Sequence, residues 1–540
     1  MSAGSSSAVP SGDQLLETGY GTTSVAPQAR QKRHIGVVSA VFIIFNRIIG
    51  TGIYATPSTI LGFSGSVGLS FVMWLIGAAI AASGMQVYII WGTAFPRNGG
   101  EKNYLEHLFP TPRRLITSIY AAHAVLLAYA AGNALVFAEY SLASFGYTPS
   151  VNSAALLSPV RIGAALCLTF VVLLHGLHIP WGLRLQNALG GLKLLILLFV
   201  IGTGVAALVG HVQPDVPRPG NFDTWAGLWA GSQTGGSVIC ACLYNVIWSY
   251  VGFSNANYAL AEMHNPARTL RIAGPLALAT VTVAYLLCNI AYFAAASKAE
   301  IVGSGRLVAA LLFRNVWGER AERVLSAFVA LSALGNILSV IFSQGRVNQE
   351  LGKEGVLPFS DFWKSDWPAK APLAGLALHW VICNIVIFAL PAGDAYNFVI
   401  NVISYPLAVI NAIISLGLVY LALRDADGTL PFLSSRHRSV KLPSATSSTP
   451  LLSAPPSADY AASLDSDRFR PPTFSPTPSL LFPALVFGVA NIFLFLVPLL
   501  PPPPGVKIYE HLPYWAHVLG AWAISGIGTA WWSVRERKRV

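Results

Sequence analysis

Apolar residues run along this chain in long blocks rather than in alternation, and polar residues gather in the stretches between them. A helix needs about 20 apolar residues to cross the hydrocarbon core of a bilayer, and blocks near that length recur throughout. Twelve are read, at residues 35–61, 66–93, 114–142, 160–180, 185–210, 236–261, 271–296, 321–346, 371–391, 396–422, 478–500 and 513–533. The expected fold is all-α and polytopic, with twelve transmembrane helices. Residues 1–34 and 428–477 are rich in small and polar residues and lack the periodicity of a packed element. The chain therefore divides into a disordered tail (1–34), a ten-helix core (35–427), a disordered loop (428–477), a helix pair (478–534) and a short terminus (535–540). Between the second and third blocks, the stretch from Pro96 to Leu105 mixes turn residues with amphipathic ones and suits a short interfacial element.

Composition agrees with a bilayer as solvent: 54% of the 540 residues are hydrophobic and 11% charged, where a soluble domain carries about 25% charged residues. The net charge of +11 does not point to nucleic acid, because the basic residues are scattered at block ends without a dense patch. They report orientation instead. With the N-terminus inside, 24 of the 34 Lys and Arg fall on the cytoplasmic side and eight outside; Arg47 and Lys193 lie within blocks. That bias supports an even helix count with both termini in the cytoplasm. The first 30 residues have no apolar core of a signal peptide, so the first block serves as insertion signal. All five cysteines fall within apolar blocks, and no Cys/His cluster has metal-ligand spacing, so neither disulfides, metals nor other cofactors are expected. An enzyme is not expected either: there is no HExxH, no GxSxG and no pair of carboxylates within one block.

Two blocks are interrupted where a helix should be most regular. The first reads Asn46-Arg47-Ile48-Ile49-Gly50-Thr51-Gly52-Ile53-Tyr54-Ala55-Thr56-Pro57, two glycines and then a proline at mid-membrane depth. The sixth reads Trp248-Ser249-Tyr250-Val251-Gly252-Phe253-Ser254-Asn255. Non-helical backbone at that depth is tolerated where it lines a cavity, and its freed amides attract a carboxylate while freed carbonyls receive an ammonium. Breaks in the first and sixth helices occupy corresponding positions of two five-helix halves, the pattern of an inverted-repeat transporter with its site at the midplane. A zwitterion is the natural ligand. Trp248 is placed to lie over it as an aromatic lid, or to pack as an interfacial aromatic. The two glycines are equally compatible with close helix packing.

These stretches, with Glu262-Met263-His264-Asn265-Pro266 and Gly352-Lys353-Glu354-Gly355-Val356-Leu357-Pro358, resemble the amino acid/polyamine/organocation superfamily in its L-type amino acid transporter branch. Asn46-Arg47, Ser249 to Asn255 and Asn265-Pro266-Ala267-Arg268-Thr269-Leu270 look most like the fungal methionine permeases. The resemblance implies a LeuT-type fold, a 5+5 inverted repeat with discontinuous helices 1 and 6 and with helices 11 and 12 outside the core. It implies substrate contacts at Ile48, Thr51 and Gly52 and at Trp248 and Val251; Gly50, Ser249 and Gly252, in the same breaks, complete the candidate set. In relatives the position of Val251 is usually glycine, and that of Arg47 is generally uncharged.

Lys193 stands among apolar residues in the fifth block, where a central charge costs roughly 2.5 to 3.5 kcal/mol on insertion scales. In proton-coupled members of the family a lysine at the matching position occupies the place of a sodium ion. The resemblance thus implies sodium-independent, proton-coupled uptake of a neutral amino acid, methionine foremost, at the plasma membrane. Glu139 and Glu262 read as solvated or gate-forming carboxylates. The stretch from Ser144 to Pro159 contains no cysteine, so no disulfide-linked heavy chain is expected. Lys32 is the single lysine of the N-terminal tail, a candidate site for the ubiquitin ligase machinery that acts on fungal permeases. The alternative readings are an exchanger of another neutral amino acid and a non-transporting amino acid sensor on the same fold.

Overall fold

The first apolar block folds as three helical pieces, α1 (Val37–Ile48), α2 (Gly52–Ala55) and α3 (Pro57–Ser64). The computed structural model describes residues 36–96, 100–147, 155, 157–367, 371–391, 393–427 and 474–537. The tail 1–34 with Lys32, most of 428–477 and residues 538–540 lie outside the described residues. After α3 come α4 (Val67–Ala94), α5 (Glu101–Leu108), α6 (Leu115–Leu126), α7 (Ala131–Ser144), α8 (Pro159–Leu177), α9 (Ile179–Leu208), α10 (Trp225–Trp229) and α11 (Gly236–Tyr250). A 3-10 helix (Asn255–Glu262) leads into α12 (Pro266–Ala295), α13 (Lys298–Gly303), α14 (Val308–Trp317), α15 (Glu319–Lys353), α16 (Ser360–Trp363), α17 (Leu373–Ala389) and α18 (Ala395–Asp427). The last two helices are α19 (Pro478–Leu496) and α20 (Ala516–Arg537). Among the described residues there is no β-strand.

Nine helical stretches among the described residues are long and apolar enough to cross a membrane. Blocks six and nine correspond to the shorter apolar helices α11 and α17, block twelve corresponds to α20, which is not among the nine, and α14 is a third short apolar helix outside the twelve blocks. The helices start on local capping: the side chains of Ser66, Ser158 and Asn265 accept from the backbone amides of Leu69, Arg161 and Arg268. On α8, the exposed residues Leu166, Phe170, Leu173 and Leu177 recur at helical spacing and form one apolar stripe facing outward. Such a stripe on a solvent-facing side fits hydrocarbon as the solvent.

Three sequence expectations differ from the structure. The second half of block six, 251–261, is a turn followed by the 3-10 helix rather than α-helix, because Gly252 at φ 124° cannot continue an α-helix. Block three is itself broken: α6 ends at Leu126, and Leu127–Ala130 form a turn in which Tyr129 and Ala131 donate to Leu127 and Ala128 at 3.0 Å. The stretch 96–105 is more than an interfacial element, since α5 carries Glu101, buried, to within 2.7 Å of the Tyr88 hydroxyl on α4.

Candidate functional site

An α-helix leaves its last four carbonyls without intrahelical donors. At the end of α1 those groups are half-buried at Asn46 and Arg47 and buried at Ile48 and Ile49, and side chains from three other helices meet them. Lys193 of α9 donates to Asn46 O at 3.1 Å and Ile49 O at 2.9 Å. Asn336 of α15 donates to Arg47 O at 3.4 Å, and the Tyr285 hydroxyl of α12 reaches Ile48 O at 3.1 Å. The break in α1 is thus stitched carbonyl by carbonyl to three neighbouring helices. Lys193 is buried, and α15 comes close to it at Gly335, where an added Cβ would stand 3.4 Å from the lysine Cε.

Across the break the amides of Gly50, Thr51, Gly52 and Ile53 find no backbone acceptor among the described residues. Thr51 instead uses its side chain: its hydroxyl donates to Asn133 Oδ1 of α7 at 2.5 Å, and Asn133 Nδ2 donates to Asn336 Oδ1 at 3.0 Å. This chain of three buried side chains ties the broken segment to α7 and α15. Gly50 and Gly52 permit it: a Cβ on Gly50 would meet Asn336 Nδ2 at 2.8 Å, and one on Gly52 would meet Ser249 Oγ at 2.6 Å and its Cα at 2.8 Å. The packing reading of the glycines and the broken-helix reading are therefore both realised.

Ser249 stands at the end of α11, so the two breaks touch. Its hydroxyl bonds Asn245 O at 2.9 Å and lies 3.1 Å from Thr56 Oγ1. Its carbonyl is reached by Tyr285 at 3.0 Å. One tyrosine hydroxyl, with a single proton, therefore serves carbonyls at the ends of both α1 and α11. Gly252 packs on Arg47, where a Cβ would meet the arginine Cγ at 2.5 Å. Ile48 and Thr51 are buried, whereas Trp248 and Val251 are half-buried beside them.

Above the breaks, on the side of α13 and α14, lies a roof that sequence did not assemble. Arg306 grips Glu139 of α7 with its Nε at 3.0 and 2.8 Å from the two carboxylate oxygens and a further contact from Nη2. The pair is nearly excluded from solvent, with side chains 12% and 5% exposed. The guanidinium lies 5.1 Å over the Tyr396 ring of α18, whose hydroxyl is close to the side chains of Thr51 and Trp248. Tyr140 donates to Tyr54 O at 2.9 Å and accepts from the Ala309 amide at 3.3 Å, and Ser58 donates to Gly305 O. The roof thus joins α2, α3, α7, α18 and the α13–α14 turn. Glu262 closes the 3-10 helix, and its side chain lies outside what is described.

Two interrupted helices meeting in a buried polar centre, with free amides on one side and a cation among the carbonyls on the other, are the geometry of a carrier for a small zwitterion. Sequence comparison decides the kind: residues 35–524 match the family model "Amino acid permease". The chain belongs to the amino acid permease family. It is 39% identical over 504 residues to the high-affinity methionine permease of Saccharomyces cerevisiae, covering 93% of this chain and 79% of that protein. The low-affinity methionine permease of the same yeast is 35% identical over 383 residues, 69% and 68% of the two chains. More distant is the mouse b(0,+)-type amino acid transporter 1, at 28% over 403 residues, 73% and 77% of the two chains. A transporter, not an enzyme, is what these relatives have in common.

In this permease, sequence reasoning reached the breaks and Lys193 but missed Tyr285, Asn133, Asn336 and Tyr396. Each is one of several polar residues in a mainly apolar helix, so its polarity alone did not single it out. Tyr285→Phe removes the shared donor and leaves two buried carbonyls with one fewer partner. Maximal uptake is expected to fall roughly tenfold, the equivalent of one buried hydrogen bond. Initial rates at saturating substrate, normalised to protein in the membrane, check this; an unchanged rate would mean that the hydroxyl is dispensable.

Proposed function

We propose that the permease carries methionine into the cell, coupled to protons, across the plasma membrane with both termini in the cytoplasm. The observation that carries the reading is the pair of touching breaks with Lys193 seated on the carbonyls of Asn46 and Ile49. The identity to yeast methionine permeases over most of the chain favours the substrate. In this reading α11 with its 3-10 extension, α17 and α20 complete a set of twelve spans with the nine long apolar helices, with inverted five-helix repeats broken in the first and sixth.

The substrate carboxylate takes the amides freed at Gly50, Thr51 and Gly52, and its ammonium takes carbonyls at the end of α11. Ile48, Trp248, Ser249, Val251 and Gly252 shape the rest of the pocket. Lys193 donates to the α1 carbonyls while protonated; a lysine, unlike an arginine, can give up that proton. Loss of the proton releases α1, which swings and opens the pocket inward, so proton and substrate leave together.

Competition of labelled methionine uptake by other amino acids, in a permease-deficient fungal cell expressing this chain, tests the substrate. Methionine is expected to be taken up and arginine to compete poorly; uptake of arginine without methionine defeats the proposal. Trp248→Ala is expected to weaken transport far more than expression, because a lid orders the occluded state. Equal losses would assign Trp248 to packing alone. Lys32 is proposed as the ubiquitin acceptor for removal from the surface. Lys32→Arg is expected to slow methionine-induced endocytosis, and unchanged endocytosis would exclude it as the required site.

A further inference from the structure

Lined by none of the residues at the breaks, a cavity of about 440 Å³ opens where the segment after α4 meets the turn after α15. Its lining includes three cations, Lys102, Arg113 and Arg114, and two carboxylates, Glu106 and Glu354. Both carboxylates are already engaged. Lys102 Nζ lies 2.5 Å from each oxygen of Glu354, and Glu106 accepts from the Thr117 hydroxyl. Among the described residues neither Arg113 nor Arg114 makes an ion pair.

The arginines are held by more than a loose turn. Arg114 stands in the left-handed region at φ 62°, uncommon for a residue with a Cβ, immediately before the first residue of α6. The Arg113 carbonyl accepts from Trp532 Nε1 at 3.0 Å, and Val356 across the cavity accepts from Trp531 Nε1 at 2.6 Å. Two tryptophans of α20 thus fix opposite walls. A fourth cation, Arg535, comes within 3.9 Å of where a Cβ on Gly355 would stand. Beside the arginines Phe109 is exposed. Tryptophans, an exposed phenylalanine and clustered cations are the furniture of a membrane interface that meets anionic headgroups.

We propose that this cavity binds a phosphate group through Arg113 and Arg114, with the positive end of α6 behind them. Guanidinium groups match phosphate oxygens in paired hydrogen bonds, and the amides at a helix start add to the same field. The volume is many times the roughly 30 Å³ share of one water, enough for a headgroup and not only a bare ion. The source the surroundings favour is an anionic phospholipid; free phosphate presents the same chemistry. The cavity stands independently of the transport proposal above, which serves only to name the leaflet as cytoplasmic.

The test is native mass spectrometry of the purified full-length permease, titrated separately with phosphatidic acid, with phosphatidylcholine and with inorganic phosphate. Arg113→Gln/Arg114→Gln is compared with wild type and with Arg268→Gln/Arg271→Gln, which removes two cations elsewhere on the chain. Phosphatidic acid is expected to bind wild type and the Arg268/Arg271 variant alike, and the Arg113/Arg114 variant roughly thirtyfold more weakly, with phosphatidylcholine indifferent to all three. Displacement by inorganic phosphate, with the same dependence on Arg113 and Arg114, also supports the site and assigns it to a soluble anion. Equal losses in both double variants would mean diffuse surface charge and would overturn the proposal, as would equal binding by all three proteins. Melting temperatures of the variants separate a binding loss from misfolding.

Discussion

Lys193→Ala is expected to abolish proton-driven accumulation of substrate, and Lys193→Arg to arrest the cycle altogether. The ammonium is the donor to two carbonyls at the α1 break, Asn46 O, half-buried, and Ile49 O, buried. Alanine leaves both without it, and the buried Ile49 acceptor alone costs about 1–3 kcal/mol when unpaired. In the proposed cycle α1 then no longer has a tether that depends on a proton. Transport by such a variant should only equilibrate substrate, with no response to an imposed gradient. Arginine keeps a charge that it cannot readily lose, in a space where α15 comes close at Gly335. Uptake and exchange in vesicles, with and without an inward proton gradient, separate these outcomes. If alanine accumulates substrate as wild type does, with the same pH dependence, Lys193 is a structural cation and the coupling group lies elsewhere.

Glu139→Gln should damage the permease more than removing both charges of its pair. The substitution leaves the Arg306 guanidinium buried over Tyr396 without its carboxylate. Breaking a buried pair from one side costs about 3–5 kcal/mol, whereas replacing both partners removes the stranded charge. The roof should therefore open or distort in Glu139→Gln, with a lowered melting temperature and uptake reduced more than tenfold. Glu139→Gln/Arg306→Gln is expected to recover part of both. Equal behaviour of the single and double variants would show that the pair is not what holds the roof shut.

What was legible in the sequence follows from how locally each feature is encoded. Gly50, Gly52 and Pro57 mark the first break within eight residues, and the run from Trp248 to Ser254 marks the second, because glycine and proline act on the backbone where they stand. Lys193 was legible because a charge in an apolar block demands a partner. That its partners are backbone carbonyls 144 and 147 residues away was not. The same distance hid Tyr285, which lies 237 residues from Ile48, and the pairing of Arg306 with Glu139, 167 residues apart. Glu139 was read as solvated or gate-forming with no partner in view. The turn at Leu127–Ala130 carries neither glycine nor proline, so the break in block three is set by its packing and left no local mark. Glu101 went unread because its stretch resembled a surface turn.

The most direct measurement of the account is made on the purified chain alone in sealed vesicles, where the external pH is dropped and labelled methionine is followed inside. Expected are accumulation above the external concentration, collapse of that excess on adding a protonophore, and suppression by unlabelled methionine but not by arginine. Methionine entry that never exceeds equilibrium, or that requires amino acid preloaded inside whatever the gradient, would contradict it.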